Sequence, residues 1–181
     1  MKTWSTVLIT LSLLFCSSAW AARPGYPYPD AVGNNARHHI IPWKETVDFG
    51  MANFTSKDEM VGVISLLMTR HPNLGEYASP EALADGVLNQ QNAALETWQG
   101  LLAWLPGNLV IGPQNRPNDP GEQFDVTALT CLKTVDADAS YTDIFTLWRQ
   151  ASATVAHKKI YLLKMARATM ADARGRPCWN N

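Results

Sequence analysis

The chain has few cysteines, few histidines and almost no net charge. Its 181 residues include 3 cysteines and 4 histidines, and the formal net charge is −1. Beyond residue 21 the strongest apolar run covers residues 60–68, which is too short to cross a bilayer as a helix. No G-x-S-x-G turn, phosphate-binding glycine loop or internal repeat occurs. These absences argue against a multispan membrane protein, an α/β serine hydrolase, a P-loop nucleotide-binding protein and a solenoid.

The first residues have the order of a secretory signal peptide. Lys2 precedes an apolar core at residues 7–15, and small residues then end in Ala19-Trp20-Ala21. We therefore expect cleavage near Ala21 and an extracytoplasmic protein, either periplasmic or secreted.

The remaining 160 residues are enough for one domain with its own core. Residues 22–36 are rich in proline, glycine and asparagine and predict an extended arm, which leaves residues 37–181 as a single globular domain. Cys131 and Cys178 predict one intrachain disulfide in an oxidising compartment, with two buried free thiols as the alternative.

Charge is distributed unevenly along the chain. Residues 22–132 hold six basic and twelve acidic side chains, whereas residues 133–181 hold eight basic and four acidic ones. The basic C-terminal third predicts an electrostatic footprint for phosphates, with a solvated helix face as the alternative. The residues that would form this surface are His157, Lys158, Lys159, Lys164 and Arg167.

Two amphipathic helices are predicted in the middle of the chain. Ser56 begins a capping box, and apolar residues at helical spacing follow it. Ser79 and Pro80 begin a second helix, which continues to Leu105 and is weakened at Gly86.

The rest of the chain is predicted to combine short strands with further helices. The segment "RHHIIPW", residues 37–43, is strand-like because Ile40 and Ile41 favour strand, and residues 108–111 are strand-like as well. Residues 124–132, 141–150 and 153–173 are helical. The predicted fold class is therefore α+β and mostly helical.

Two of the four histidines, His38 and His39, are adjacent in the chain. Neutral imidazoles bind divalent transition metals and act as general bases near neutral pH. Neighbours on a regular strand point to opposite faces, so both rings reach one site only if the backbone bends at residues 37–39. Taken alone, the pair favours a packing or surface role.

The segments "RHHIIP", residues 37–42, and "GNLVIGPQNR", residues 107–116, together resemble the motifs of the HNH, or His-Me finger, endonucleases. The resemblance implies a small ββα-metal element that carries both motifs, with the 65 residues from 43 to 107 as a helical insertion and with helices at the C-terminus. It also implies that His38 is a metal ligand and that His39 is the general base that activates water.

Further roles follow from the same resemblance. Asn108 would brace the base-bearing loop, Asn115 would be the second metal ligand, and Arg116 would contact a phosphate or the leaving group. One divalent ion, Mg, Mn, Ni or Zn, would polarise the scissile phosphate. Asp119 is the alternative ligand, although aspartate before Pro-Gly is typical of a turn.

The sequence thus predicts a secreted, metal-dependent endonuclease that cleaves DNA or RNA. A toxin with a neutralising protein partner is one form of this function. The first alternative is a non-enzymatic extracytoplasmic binding protein in which the histidine pair is structural and docks the arm. The second alternative is a hydrolase whose histidine-based metal site acts on another substrate.

Overall fold

The computed structural model of the protein describes residue 25 and residues 32–69, 77–136 and 139–180. The predicted signal peptide, residues 1–21, and most of the predicted arm lie outside the described residues. Residues 35 and 36, which were assigned to the arm, form the start of the first strand.

The described part is mostly helical with one small sheet, so the predicted α+β class is confirmed. The helices are α1 (Trp43–Asn53), α2 (Lys57–Met68), α3 (Pro80–Leu88), α4 (Asn92–Ala103), α5 (Val126–Val135), α6 (Ala139–Trp148) and α7 (Val155–Arg167), with 3-10 helices at Pro106–Asn108 and Pro177–Asn180. The strands are β1 (Asn35–His39), β2 (Leu109–Pro113) and β3 (Ala171–Asp172).

The sheet has the order β1-β2-β3. Strands β1 and β2 are antiparallel, with His39 opposite Leu109, and β3 runs parallel to β2 with Ala171 opposite Val110. Helices α1 to α4 all lie in the chain between β1 and β2. The sheet therefore joins three segments that are far apart in sequence.

Ser56 and Ser79 cap helices α2 and α3 as predicted, because their hydroxyls accept hydrogen bonds from Glu59 N at 3.4 Å and Ala82 N at 3.2 Å. The single long helix predicted after Ser79 is wrong. It divides into α3 and α4 at Gln90, which has a left-handed backbone with φ of 58°.

Gly86, where weakening was expected, lies inside α3 and faces α4. A Cβ added at Gly86 would lie 2.7 Å from Cβ of Ala94, so the missing side chain allows the two helices to approach closely.

The helix predicted over residues 153–173 is also too long. Helix α7 ends at Arg167, and residues 171–172 instead pair with β2 as β3. Helix α1 was not predicted as a helix, and its buried residues include Val47 and Gly50. Tertiary contacts with the sheet and with other helices decide both outcomes.

The core is built from the helices and from both faces of the sheet, since the neighbouring β2 residues Leu109 and Val110 are both completely buried. Trp98 is completely buried, and Phe54 meets it edge to face with ring centroids 5.7 Å apart. Cys131 of α5 and Cys178 of the C-terminal 3-10 helix lie at disulfide distance with Cα atoms 5.4 Å apart, which agrees with the predicted pairing. Within the described ranges, no helix is both long enough and apolar enough to span a membrane.

Candidate functional site

The two sequence motifs meet in the sheet. Strand β1 ends at His39, and β2 begins at Leu109, directly after Asn108. Backbone pairing continues one residue further, because Ile40 N donates to Asn108 O at 3.0 Å. The 65-residue insertion therefore leaves the "RHHIIP" and "GNLVIGPQNR" segments side by side.

Asn108 is fully buried and holds the segment that follows His39. Its Oδ1 accepts a hydrogen bond from Ile41 N, and its Nδ2 donates to Ile41 O, both at 2.8 Å. One amide side chain thus satisfies both backbone groups of a buried residue outside regular structure. Asn108 thus holds the segment that follows His39, and its role beside a general base stays a prediction.

His39 is half-buried at the end of β1. Its Nε2 lies 2.9 Å from Ala103 O, and its ring packs against Trp104 with centroids 4.8 Å apart. A carbonyl oxygen only accepts hydrogen bonds, so Nε2 carries the proton and donates it. In the neutral ring the basic lone pair is then on Nδ1, which is the form required of a general base.

His38 is more deeply buried, with 7% of its surface exposed. Its Nε2 donates to Pro113 O at 2.9 Å, and its ring contacts Trp179 with centroids 4.9 Å apart. Burial of the imidazole, followed by the positive charge of Arg116, lowers the pKa of His38 below its usual value. This histidine is therefore held in the neutral form.

The structure does not bring the two imidazoles together. Both residues belong to β1 and pair in regular register, His38 opposite Val110 and His39 opposite Leu109. Successive side chains of a strand point to opposite faces, and the two rings accordingly contact different tryptophans. No bend of the kind that a shared site would need interrupts the strand.

Arg116 lies on the His38 side of the sheet in a buried ion pair. It makes a two-pronged contact with the carboxylate of Asp125, and the exposed fractions of the two side chains are 1% and 4%. Its guanidinium also lies over the Trp179 ring, 5.2 Å from the centroid. Arg116 would have to leave Asp125 to reach a phosphate, so its predicted catalytic role requires a rearrangement.

Asp125 is also the N-cap of α5, since its Oδ1 accepts from Ala128 N at 2.8 Å. Its backbone N–H donates to Ile40 O at 2.8 Å, which ties the start of α5 to the segment after His39. Its partnership with Arg116 was not foreseen from the sequence.

Asn115 and Asp119, the two candidates for the last metal ligand, lie in the loop between β2 and α5. Asn115 is exposed. Oδ1 of Asp119 accepts a hydrogen bond from Gly121 N at 3.1 Å and lies 3.6 Å from Nη2 of Arg116. This is the turn geometry that aspartate before Pro-Gly favours.

These positions do not fit a bound divalent cation. Among the residues that the structure describes, no three His, Cys, Asp or Glu side chains are grouped so that they could hold a metal ion. His38, the expected ligand, lies beside Arg116, and the charge that disfavours its protonation also disfavours a cation at the ring. No catalytic step is therefore assigned to a metal, and the ion remains a prediction.

Arg37 is a residue that the sequence reasoning did not single out. It lies two residues before His39 on β1, so its side chain emerges on the same face as that of His39 and opposite to that of His38. Two strand residues span roughly 7 Å, which is a distance that a phosphodiester can bridge. The alternation of side chains along β1, already visible in the sequence, could have identified it.

Comparisons of the chain with protein-family profiles, with curated proteins and with solved structures find no match, so the resemblance to His-Me finger endonucleases rests on the motifs and their geometry alone.

Proposed function

We propose that the protein is a phosphodiester-cleaving hydrolase of the His-Me finger type, with His39 as the general base. The proposal rests on the two hydrogen bonds that the Asn108 side chain makes with the backbone N–H and C=O of Ile41. An asparagine in this position fixes the chain just beyond the base, which is the role that the motif implies. The antiparallel pairing of β1 and β2, followed by α5, supports the same function.

The reaction assigned to His39 is proton removal from water. The hydrogen bond to Ala103 O and the contact with Trp104 hold the ring with Nδ1 as its basic atom. Water oxygen attacks phosphorus, its proton passes to Nδ1, and the bond from phosphorus to the leaving oxygen breaks. The departing alkoxide takes a proton from solvent. General-base catalysis of this kind contributes roughly 10²- to 10⁴-fold to a rate.

Arg37 is the cation that we assign to the phosphate in this proposal. Negative charge builds up on the phosphoryl oxygens as water attacks, and a guanidinium nearby stabilises it. The planar donors of arginine also match the geometry of a phosphate. Arg116 remains the alternative from sequence, but its ion pair with Asp125 favours a structural role.

The test is hydrolysis of bis(4-nitrophenyl) phosphate and of single- and double-stranded DNA and RNA by the mature chain. Each substrate is offered with magnesium, manganese, nickel or zinc and with a chelator. His39→Ala should lower the rate at least about 100-fold while the protein stays folded. His157→Ala, which removes an exposed histidine of α7, is the matched control and should retain the rate on the small diester.

A folded wild-type protein that cleaves none of these substrates under any of these conditions would overturn the proposal. Equal rates for wild type and His39→Ala would overturn the assignment of the base. Dependence on one of the four metals would establish the ion that the sequence predicts.

A non-enzymatic binding protein is the second candidate, and an acidic cleft favours it. The cleft has a volume of about 420 Å³ and is lined by Pro42, Lys44, Glu45, Asp48, Phe49 and Glu122. Three carboxylates and one lysine line this cleft, so its net negative charge suits a cationic ligand better than a phosphate. Saturable binding of an organic cation such as a quaternary ammonium, together with no cleavage, would favour this candidate.

A further inference from the structure

Thr46 is completely buried in helix α1, although its side chain is polar. In the part of the chain that the structure describes, the other buried polar or charged side chains are His38, Asn108 and Asp125, which all lie in or beside the candidate site. A hydroxyl is buried at little cost only where it forms hydrogen bonds. The partners of Thr46 therefore indicate what this residue holds in place.

The Thr46 hydroxyl is directed at the end of helix α4. Its Oγ1 lies 2.8 Å from Trp43 O in its own helix and 3.0 Å from Leu102 O in the last turn of α4. Trp43 O has a regular helical partner in the backbone N–H four residues further along α1. The residue four positions after Leu102 is Pro106, which has no N–H. The proton of the hydroxyl thus satisfies a carbonyl that α4 itself leaves unpaired.

Close packing between α1 and α4 fixes this contact. Thr46 and Gly50 lie one turn apart on α1, and both are buried where α1 packs against α4. A Cβ added at Gly50 would overlap the side chain of Leu102, so the missing side chain lets the two helices approach closely. Leu102 is therefore held by α1 through both its carbonyl and its side chain.

The next carbonyl of α4 holds the proposed base. Ala103 O, one residue after Leu102 O, accepts the hydrogen bond from His39 Nε2 at 2.9 Å. Peptide groups are planar and successive ones are joined by only two soft dihedrals, so a displacement of one carbonyl is passed to the next. The orientation of the His39 ring therefore depends on the position of the helix end that Thr46 fixes.

The C-terminus of α4 also has the charge that the proposed reaction needs. The last carbonyls of a helix together carry roughly half a negative elementary charge. Once Nδ1 of His39 has taken a proton from water, the ring is a cation, and its hydrogen bond to Ala103 O becomes charge-assisted and stronger. An interaction that strengthens as the reaction proceeds lowers the barrier. The helix end thus does for His39 what a carboxylate does for the histidine of a catalytic triad.

We propose that Thr46 is a positioning residue for His39. Its hydroxyl fixes the C-terminal end of α4, and the carbonyl of Ala103 at that end holds the imidazole with Nδ1 as its basic atom. The inference rests on the proposed function for the reaction that the ring performs. Its effect on the ring itself is measurable without a substrate.

The experiment follows the His39 ring and the hydrolysis of bis(4-nitrophenyl) phosphate in the same set of proteins. Thr46→Val removes the hydroxyl and nearly keeps the shape of the side chain, whereas Thr46→Ser keeps the hydroxyl. The matched control is Thr97→Val, which removes from α4 a hydroxyl that donates to Ala93 O at 2.8 Å within that helix.

Long-range proton–nitrogen NMR correlations report which ring nitrogen carries the proton. They are recorded at about pH 8, where an ordinary imidazole is neutral. The signals of His39 are identified by their loss in His39→Ala. Urea denaturation shows which variants are folded, and Thr46→Ala, which also lacks the hydroxyl, replaces Thr46→Val if the valine variant does not fold.

Wild type, Thr46→Ser and Thr97→Val should carry the His39 proton on Nε2 alone. Thr46→Val should show a mixture of the two tautomers, because Ala103 O is no longer held in one place. Its kcat should fall about tenfold while KM stays within about twofold of wild type, since the orientation of the base affects the chemical step and not substrate binding. Thr46→Ser should keep both kinetic constants.

A wild-type tautomer and a wild-type kcat in Thr46→Val would overturn this inference and leave the proposed function standing if His39 is still required for cleavage. A changed tautomer in Thr46→Val, without any cleavage by the wild type, would support the positioning of His39 by Thr46 and overturn the proposed function. Equal changes in Thr46→Ser and Thr46→Val would also overturn the inference, because the methyl group and not the hydroxyl would then position the ring.

Discussion

The Asn108 side chain bridges the backbone N–H and C=O of Ile41 with two hydrogen bonds of 2.8 Å, deep in the protein. Ile41 follows β1 and precedes α1, so neither strand nor helix pairing satisfies these backbone groups. A hydrogen-bonded amide in this position replaces the missing strand partner. The segment next to His39 is thereby tied to Asn108, the residue that directly precedes β2.

Asn108→Ala should destabilise the protein and reduce any activity that depends on His39. Two buried backbone groups lose their partners, and each unsatisfied group costs about 1–3 kcal/mol, so we expect a loss of roughly 2–4 kcal/mol in the free energy of unfolding. Urea denaturation measures it. Asn89→Ala, at an exposed helix end, should stay within about 0.5 kcal/mol of wild type. If Asn108→Ala also changes the free energy of unfolding by less than about 0.5 kcal/mol, then water replaces the amide as the hydrogen-bond partner of Ile41.

The Arg116–Asp125 pair should be costly to break on one side. Asp125→Ser keeps a capping hydroxyl for α5 but leaves the buried guanidinium without its carboxylate, so we expect a loss of about 3–5 kcal/mol. Arg116→Met added to Asp125→Ser should restore part of this loss, because no buried charge is left unpaired.

The matched control for this pair is Asp85→Ser, which breaks the exposed pair of Asp85 with Lys57. It should change the free energy of unfolding by less than about 1 kcal/mol. If the double variant proves less stable than Asp125→Ser alone, then Arg116 stabilises the fold through contacts other than the ion pair, such as that with Trp179.

Local sequence signals predicted those parts of the fold that local physics determines. The Ser56 and Ser79 caps mark the starts of α2 and α3, because a cap and its first helical turn are neighbours in the chain. The pairing of "RHHIIP" with "NLVIGP" was expected only through the family resemblance. Propensity alone does not join two strands across a helical insertion.

The remaining features depend on contacts between distant residues. The break at Gln90 and the short strand β3 depend on packing and pairing that composition does not report. At the candidate site, alternation along β1 already indicated that His38 and His39 point apart. The sequence did not predict the ion pair between Arg116 and Asp125, because the relative position of two residues outside regular strands is set only in the folded chain.

Neutral His38 should make the fold sensitive to mild acid. Burial and the positive charge of Arg116 make the pKa of His38 lower in the folded protein than the ordinary histidine value of about 6.5, so the unfolded chain binds the proton more readily. The contribution of His38 to stability is therefore complete above about pH 6.5, decreases as the pH falls through that value, and levels off below the folded pKa. His38→Gln, which keeps a donor for Pro113 O, should lack this decrease.

Urea denaturation at about pH 7.5 and about pH 5.5 measures the effect, with wild type expected to lose more stability than His38→Gln over that interval. The carboxyls of Glu59 and Asp172 have lowered pKa values, so they titrate at lower pH and are common to both proteins. If the two proteins lose the same free energy of unfolding over this interval, then protonation of His38 does not destabilise the fold.

Gly112 should not tolerate a side chain, because Trp179 occupies the space. A Cβ at this buried strand position would collide with the Trp179 ring, which is itself fixed by His38 on one face and by the hydrogen bond from its Nε1 to Ala173 O at 2.8 Å. Gly112→Ala should therefore lower the free energy of unfolding by about 1–3 kcal/mol through overpacking.

Gly62→Ala is the matched control within α2, where the nearest atom, on Leu163, lies 3.8 Å from the new Cβ. That change should stabilise the protein by up to about 1 kcal/mol, because alanine favours helix over glycine. Thermal denaturation compares the two variants, and a Gly112→Ala protein as stable as wild type would mean that Trp179 leaves the sheet without loss.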